Sequence, residues 1–427
     1  MIISARIFLI IAAVSIIALE TNSQGLEYRF SVADEGTLSK LNLTTPINYQ
    51  NRILPQATQA NDAISNLFLS YGGLSTSLNV DAHATNLTKP DYSYSIRELS
   101  YDLSLTDNLD VTVGRKILKW GPGYAFNPTG VVEPQRSPSD PSDRLGQNVG
   151  RTLISVNAFL GKSSLTLVYL NDAQFESGNF HWGEHDYALR AYTFLNGLDL
   201  SGILHYREGD RLEAGTNWSY VVGENLELHG EFLAKKGSST LYHEVLSSDN
   251  PEQIFASDPY TARFDRSNEI FYKLLVGGQY TFENGVNIAL EYYRNLEGLS
   301  KSEWNQWMKF VKFQNGIQQG TIPVPPEMIG PSRYNLLWAL RTLSPRGTMR
   351  DYLFGREYYS VDGWSFEFIQ LMNAGDASVV LVPTLSYRIS EFLSLYGRFT
   401  MFLGGGESEY GALFIKNSSS LGIQSQL

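Results

Sequence analysis

The chain alternates between apolar and polar residues with a period of two over many short segments. In the segment 212–222, even positions hold apolar, aromatic or small residues, and odd positions hold mostly polar ones. A β-strand points successive side chains to opposite faces, so such a segment has one apolar and one polar face. The alternation recurs in the segments 74–82, 98–105, 198–207, 226–234, 272–282 and 393–403. It predicts an all-β protein whose strands face a soluble core or a lipid bilayer.

Very short turns separate neighbouring strand-like segments. Each turn is a cluster rich in Gly, Asn, Asp or Ser, the residue types that close tight β-hairpins. The turns lie at Gly72-Gly73, Thr106-Asp107-Asn108, Gly161-Lys162-Ser163, Asn196-Gly197, Gly223-Glu224-Asn225, Glu283-Asn284-Gly285, Asp362-Gly363 and Ser390-Glu391. These turns predict a series of antiparallel hairpins.

The connections between the hairpins are mostly long and polar. They cover the ranges 85–91, 119–150, 172–186, 235–266, 295–349 and 404–409. Short and long connections alternate along the chain, which in an up-and-down barrel places all short turns at one rim and all loops at the other. Outer-membrane barrels have this asymmetry, with short periplasmic turns and long extracellular loops. A soluble sandwich with Greek-key connections has no reason to sort its loops in this way.

The hairpins set the size of the predicted barrel. Eight tight turns imply sixteen strands, and the segments 24–32 and 410–427 each look able to add one more. We therefore expect a transmembrane antiparallel β-barrel of about 16–18 strands. At this size side chains do not fill the interior, which holds water unless a loop folds in. The alternative, a soluble solenoid or propeller, usually shows a fixed-period repeat, and we find none.

The first residues have the pattern of a secretory signal. Arg6 supplies a positive charge, the run 7–19 is apolar or small, and small residues at 21–23 suit a cleavage site. The run is too short for a membrane-spanning helix, although a buried N-terminal helix is an alternative. We expect a signal peptide at residues 1–23 and a single barrel domain at residues 24–427, exported through the periplasm to a bacterial outer membrane.

The composition of the chain excludes several classes of site and partner. The chain has no cysteine, which excludes disulfides, cysteine metal sites and thiol catalysis. It contains 25 Tyr, 22 Phe and 7 Trp, as expected if rings line two membrane interfaces. Its net charge of −11 argues against a nucleic-acid partner.

Strand parity predicts which side chains face the lumen. The charged residues and histidines assigned to the lumen are Asp81, Glu98, Asp102, Asp110, Lys116, Asp199, His205, Arg207, Arg211, Glu213, Glu227, His229, Glu231, Lys273, Glu291, Arg388 and Arg398. A polar lumen is typical of a water-filled passage. Most of these residues simply solvate the wall, and the arginines are candidates for orienting a solute. Acids are in modest excess, which indicates at most a weak cation preference.

The loop after the strand at 109–113 is rich in Pro and Gly. Prolines stiffen a loop and glycines let it bend, so a rigid loop at 119–150 can fold inward and narrow the pore. An ordinary surface loop is the alternative. The constriction candidates in and beside this loop are Arg115, Trp120, Tyr124, Arg136, Asp140, Asp143 and Arg144.

The same stretch carries a family resemblance. Gly114-Arg115, Trp120-Gly121 and the run Phe126-Asn127-Pro128-Thr129 resemble a segment of porin-like bacterial outer-membrane proteins, which share the architecture of general porins and alginate-export-type barrels. The motif covers about forty residues. The resemblance implies an outer-membrane channel without naming its solute. Such barrels typically end in an aromatic residue, whereas this chain ends in Leu427.

The loop at 295–349 contains Trp304, Trp307, Phe310 and Phe313 ahead of the prolines at 323–326. This spacing predicts an amphipathic helix. We consider three roles for it: a lid across the mouth, a contact with neighbouring barrels, or simple packing.

Catalytic motifs are absent from the sequence. We find no Gly-x-Ser-x-Gly, no His-Glu-x-x-His and no phosphate-binding glycine loop. His181 and His185 have metal-ligand spacing, but Gly183 between them favours surface decoration. His205 and His229 lie on adjacent predicted hairpins, but a catalytic dyad also needs an activated nucleophile within hydrogen-bond reach, and a sequence does not supply that geometry. We therefore predict no enzyme activity, no cofactor and no metal.

Taken together, the patterns predict a porin-like channel for passive diffusion of small hydrophilic solutes. The first alternative is a barrel that acts as a scaffold, a surface anchor or an export sleeve for a partner or polysaccharide. The second alternative is a barrel enzyme. The expected partners are outer-membrane lipid, the barrel-assembly machinery, the solutes themselves and further copies of the chain in a homo-oligomer.

Overall fold

A computed structural model describes most of the chain. The described residues are 25–86, 91–134, 136–141, 143, 148–171, 174–176, 179–181, 183–209, 212–238, 240, 242–248, 263–264, 266–343 and 347–426. The predicted signal peptide at residues 1–23 lies outside them. Within these ranges, no helix has the length and apolar character needed to cross a membrane.

Eighteen antiparallel strands of the described residues form one closed sheet. The strands of its first half are β1 (Leu26–Leu41), β2 (Gln59–Tyr71), β3 (Leu74–Thr85), β4 (Asp91–Thr106), β5 (Leu109–Lys116), β6 (Arg151–Leu160), β7 (Ser163–Asn171), β10 (His185–Leu195) and β11 (Leu198–Arg207). Those of the second half are β12 (Glu213–Val222), β13 (Leu226–Lys236), β16 (Ile270–Thr281), β17 (Asn287–Asn295), β18 (Asp351–Val361), β19 (Trp364–Asn373), β20 (Val379–Arg388), β21 (Leu393–Leu403) and β22 (Ile415–Gln426). Two small two-stranded sheets lie in the loops, β8 (Gln174–Glu176) with β9 (Asn179–His181) and β14 (Tyr242–His243) with β15 (Arg263–Phe264).

Closure of the barrel decides the strand number. β1 pairs with β22 from Ser31 opposite Gln426 to Leu41 opposite Ile415, so both terminal segments belong to the barrel. The all-β prediction is confirmed, and the count is eighteen rather than sixteen. β1 extends well beyond the predicted segment 24–32.

The eight predicted tight turns all connect neighbouring strands at one rim. Asn196 (φ 50°) and Gly197 (φ 88°) between β10 and β11 both adopt positive φ, as a two-residue hairpin turn of this hand requires. The other connections lie at the opposite rim, which we call the loop rim. Two of them, 208–212 and 374–378, are about as short as hairpin loops. The order of a connection along the chain, and not its length alone, therefore decides the rim at which it lies.

The two faces of the barrel differ in polarity as the alternation predicts. On β13, His229 and Glu231 point inward and are almost fully buried, while Leu228 and Phe232 on the outer face are 37% and 40% exposed. Large exposed apolar side chains occur on the outer faces of most other strands. The barrel thus has an apolar exterior and a polar interior.

The predicted helix is present in the connection between β17 and β18. Helix α1 (Lys301–Gln318) begins with a capping box, in which Ser300 and Glu303 exchange side chain–backbone hydrogen bonds. Gly320 with φ 73° follows its C-terminal end. A second helix, α2 (Ile329–Thr342), packs against α1 and was not indicated by the sequence pattern.

An apolar cluster, which we call the loop core, fills part of the barrel at the loop rim. Helix α1 contributes Trp304, Trp307 and Phe310, all with no exposed surface. The inner wall of β16 and β18–β20 contributes Leu275, Tyr352, Phe354, Ile369, Leu371, Val380 and Val382. The rest of the connection that holds α1 contributes Leu299, Leu336 and Met349, and other connections contribute Ile47, Ile53, Phe126, Val245, Tyr410 and Ala412. The aromatic face of α1 is therefore used within the chain, against the barrel's own inner wall.

Candidate pore and its constriction

The Pro/Gly-rich connection between β5 and β6, residues 117–150, folds into the barrel, and we call it the inward loop. Trp120 is 6% exposed and packs with Val132 of the same loop against inward side chains of β6, β7, β10 and β11. Farther along, Phe126 stacks on Tyr293 of β17 at 4.1 Å between ring centroids. Tyr124 lies beside Phe354 of β18 at 5.8 Å. The inward loop thus covers the inner wall from β6 to β18.

Two buried glutamates on the wall hold the inward loop. Glu231 of β13 accepts hydrogen bonds from the backbone N–H of Gly123 and of Thr129, both at 2.8 Å, and from the Thr129 hydroxyl at 2.7 Å. Glu291 of β17 accepts from the backbone N–H groups of Tyr124 and Ala125. Hydrogen bonds to a carboxylate are among the stronger ones in proteins, so these contacts fix the position of the loop.

A third carboxylate stiffens the loop from within. Glu133 accepts from the backbone N–H groups of Trp120 and Gly121 at 3.1 and 2.9 Å. Arg136 donates to Glu133 at 3.1 Å and to the carbonyl of Gly121 at 3.1 Å. On the wall side, Asn217 donates to the carbonyl of Trp120 and to the Thr129 hydroxyl. The loop is therefore an ordered part of the barrel interior.

A buried ion network lies along the wall toward the loop rim. Asp186 of β10 has a side chain that is 1% exposed, and it contacts Arg151 of β6 at 2.5 Å and Arg207 of β11 at 3.0 Å. His205 lies 2.7 Å from the other oxygen of Asp186 and 3.0 Å from Glu213. Buried charges need such partners, because an unpaired one costs several kcal/mol. The network links β10, β11 and β12 to one another and, across β7, to β6.

The network continues to β16. Lys235 of β13 lies 3.2 Å from Glu213 and 3.3 Å from Glu297. Glu297, which follows β17, is also 3.3 Å from Lys273. The predicted lumen residues Glu213 and Lys273 are thus neutralised by partners within the wall.

The part of the inner wall that the inward loop and the loop core leave uncovered is formed by β1–β5, β21 and β22, and we call it the polar wall. Arg398 of β21 pairs with Glu35 of β1, whose other oxygen accepts from Tyr396 at 2.9 Å. Lys116 lies 2.7 Å from Asp102, and their side chains are 30% and 43% exposed. Lys116 and Asp102 are therefore far more accessible than Glu231 and Glu291, which are 2% and 3% exposed beneath the loop.

The end of the inward loop touches the polar wall. Asp143 accepts from Arg97 of β4 at 3.2 Å and from the backbone N–H of Asn148 at 3.0 Å. Asp140 forms an isolated β-bridge with Ser137 within the loop. The predicted constriction residues Trp120, Tyr124, Arg136, Asp140 and Asp143 are therefore all in the loop that enters the barrel.

Among the described candidates, Arg115 and Arg388 lie away from this site. Arg115 shares the outward face of β5 with Val113, and its guanidinium donates to the carbonyl of Ile96. Arg388 is the last residue of β20 and is exposed near the turn rim. Arg144 and Arg211 lie outside the described residues. The reason for the Arg115 placement is parity, since Gly114 and Lys116 occupy the inward positions around it.

The sequence did not predict that Glu35 and Glu133 are buried hydrogen-bond and ion-pair partners in the barrel interior. Glu35 lies beyond the predicted first strand segment, so no parity was assigned to it. Glu133 lies among the loop prolines, where no alternation of polar and apolar residues predicts the direction of a side chain.

The described residues contain no group of three His, Cys, Asp or Glu side chains able to hold a metal ion. The side chain of His181 is outside the described set.

His243 is a buried titratable side chain at the edge of the loop core. Its ring lies 4.4 Å from that of Trp338 and 5.9 Å from that of Phe310, and its Nδ1 accepts from the backbone N–H of Val245. Its Nε2 is enclosed and has no hydrogen-bond partner in the described part of the chain. Burial lowers the pKa of His243 from 6.5 to about 4.

Acidification is expected to loosen the packing around His243. Between pH 6.5 and about 4 the opened loops bind a proton that the packed state excludes, so the stability of the packing falls as pH falls through this window. Tryptophan fluorescence, to which Trp338 beside His243 contributes, is followed from pH 8 to pH 4 and reports the change. His243→Phe, which cannot be protonated, is the control. An identical pH profile in the two proteins would contradict the prediction.

No protein-family model matches this chain, and no curated protein matches it in sequence. Solved structures match it in three dimensions. Pseudomonas aeruginosa OccK11 (OpdR) superimposes with a TM-score of 0.50 and 10% identity, covering 94% of this chain and 96% of that one. P. aeruginosa OccK5 (OpdH) gives 0.50 at 9% identity, with 95% and 98% covered. P. aeruginosa OprD gives 0.50 at 8% identity, with 95% and 97% covered.

The chain has the porin fold. At 8–10% identity the likeness concerns the barrel architecture alone, and no residue role is transferred from those porins to this chain. The roles of the inward loop, the loop core and the polar wall must therefore be argued from this chain's own contacts.

Proposed function

We propose that the protein is an outer-membrane channel through which small hydrophilic solutes diffuse passively. The observation that carries the proposal is the asymmetric interior of a closed porin-fold barrel. The inward loop covers one half of the inner wall, whereas the polar wall, with Asp102 and Lys116, keeps solvent-accessible charges. A polar interior inside an apolar exterior is the arrangement of a water-filled pore across lipid.

The proposed mechanism involves no bond making. The inward loop reduces the cross-section of the lumen, and it stays in place because Glu231 and Glu291 hold its backbone. The charges of the polar wall then act on solutes at short range, where water screens them little. Selectivity arises from the size of the remaining opening and from these charges.

The proposed cellular location rests on the apolar outer surface of the barrel. An exterior of exposed Leu, Val, Phe and Tyr side chains suits lipid and is unsuited to water. We accordingly propose the bacterial outer membrane as the site of action, with export through the periplasm and insertion by the barrel-assembly machinery. Assembly into a homo-oligomer is part of the proposal only as an expectation from the sequence.

Single-channel conductance in a planar bilayer tests the proposal. The refolded full chain is compared with a variant in which residues 122–146 are replaced by a short Gly-Ser linker. A stable conductance that rises in the variant supports a channel narrowed by the inward loop, because the deletion removes the backbone held by Glu231 and Glu291. Replacing residues 174–181, the β8–β9 hairpin, is the control and is expected to leave conductance unchanged.

The loop core favours a second candidate function, a scaffold or surface anchor with an occluded lumen. Trp304, Trp307 and Phe310 of α1 are fully buried inside the mouth, and such packing closes part of the barrel. If neither the full chain nor the 122–146 replacement conducts, the channel proposal is wrong and the occluded scaffold is favoured.

A further inference from the structure

A recess lies in the polar wall beside the end of the inward loop. It has a volume of about 360 Å³, and its lining includes Asp62 and Ile64 of β2, Asn79 and Asp81 of β3, Ser95 of β4 and Val149 of the inward loop. We call it the β2–β4 recess. Its volume is in the range of sites that take small organic molecules.

The carboxylates make the recess negative. Asp62 and Asp81 both belong to its lining, and no Lys or Arg is among the described residues that line it. His83 is the one basic group there, with its Nδ1 2.5 Å from Asp62. The nearest cation along β4, Arg97, is engaged by Asp143. The local charge is therefore set by two carboxylates in a polar surround.

Asp81 has unused hydrogen-bonding capacity. Its Oδ1 is enclosed and has no hydrogen-bond partner in the described part of the chain, while Ser93 bonds to the carboxylate. Native structures rarely leave a buried carboxylate oxygen without a donor. A cationic N–H group of a solute would supply a short, charge-assisted hydrogen bond to it.

We infer that the β2–β4 recess binds the ammonium group of small organic amines and makes the pore select cations over anions. Asp62 and Asp81 receive the ammonium group, and Asn79, Ser93 and Ser95 offer hydrogen bonds to neighbouring polar groups of the amine. The position of Val149 places the recess beside the narrowed part of the lumen. The inference rests on the proposed channel function and names the solute class for it.

The test compares the full chain with Asp62→Asn/Asp81→Asn, which keeps side-chain size and removes both charges. The first readout is the reversal potential in a KCl gradient at pH 8. We expect the K⁺/Cl⁻ permeability ratio to fall about fivefold or more, since a unit charge a few ångströms away in water contributes roughly this factor. Asp107→Asn, in the β4–β5 turn at the opposite rim, removes an equal charge and is expected to leave the ratio unchanged.

The second readout does not depend on conductance. Calorimetry measures putrescine binding to the detergent-solubilised barrel, and we expect the affinity to fall about tenfold or more in the double variant as charge-assisted hydrogen bonds are lost. An unchanged permeability ratio or equal putrescine affinity in the two proteins would overturn the inference. If the barrel conducts without preferring cations, the channel proposal stands and the inference about the recess is wrong. If the barrel does not conduct but binds putrescine through Asp62 and Asp81, the amine site stands and the channel proposal is wrong.

Discussion

Glu231→Ala is expected to release the inward loop and raise single-channel conductance. Glu231 is 2% exposed and accepts three hydrogen bonds from Gly123 and Thr129. Alanine leaves these donors buried without an acceptor, which we expect to destabilise the inward position of the loop by about 3–5 kcal/mol. We expect this loss to let the loop leave the inner wall for a substantial fraction of the time.

Two measurements check this result. Single-channel recording reports the wider lumen, and trypsin cleavage after Arg136 reports exposure of the loop, since Arg136 is now held against Glu133 and Gly121. Glu224→Ala removes an exposed carboxylate from the turn of the same β12–β13 hairpin and is expected to change neither. Equal conductance and cleavage in Glu231→Ala and the unmodified chain would show that Glu231 does not hold the loop.

Trp307→Ala is expected to open the loop core. Trp307 has no exposed surface and lies 4.8 Å from the ring of Trp304, at the centre of a cluster that joins α1 to the inner wall. Removing a buried indole costs about 3–5 kcal/mol through lost contacts and the cavity left behind. The loss should be local, because the hydrogen-bonded ladder of the barrel does not include α1.

Hydrogen–deuterium exchange separates the local effect from global unfolding. We expect faster exchange over α1 and α2 and unchanged exchange over the strands β3–β5, which are remote from the cluster. Tyr334→Ala on α2 is the matched control, because the Tyr334 side chain is 67% exposed. Unchanged exchange over α1 in Trp307→Ala would mean that the loop core does not depend on this residue.

The barrel itself was predictable because its signals are local. A strand exposes alternate residues to opposite faces, so the alternation at 226–234 already separates His229 and Glu231 from Leu228 and Phe232. A tight turn such as Asn196-Gly197 is read from two residues. Helix α1 was predictable for the same reason, from the spacing of Trp307, Phe310 and Phe313.

The failures of prediction also have physical causes. Arg115 was placed with the lumen candidates because it adjoins the loop, although the parity of β5 turns it outward beside Val113. Helix α2 lacks a strong pattern, and the contacts with α1 that stabilise it come from a different part of the sequence.

By itself, the sequence determined the all-β barrel, the parity of its connections and the polarity of its two faces, because these depend on neighbouring residues. Only the tertiary structure decided what the inward residues do. Parity turns Glu231 and Glu213 inward alike, yet one holds the inward loop and the other joins the ion network. The difference comes from contacts such as Gly123 with Glu231, more than a hundred residues apart. Closure of the barrel, not any local pattern, brings such residues together.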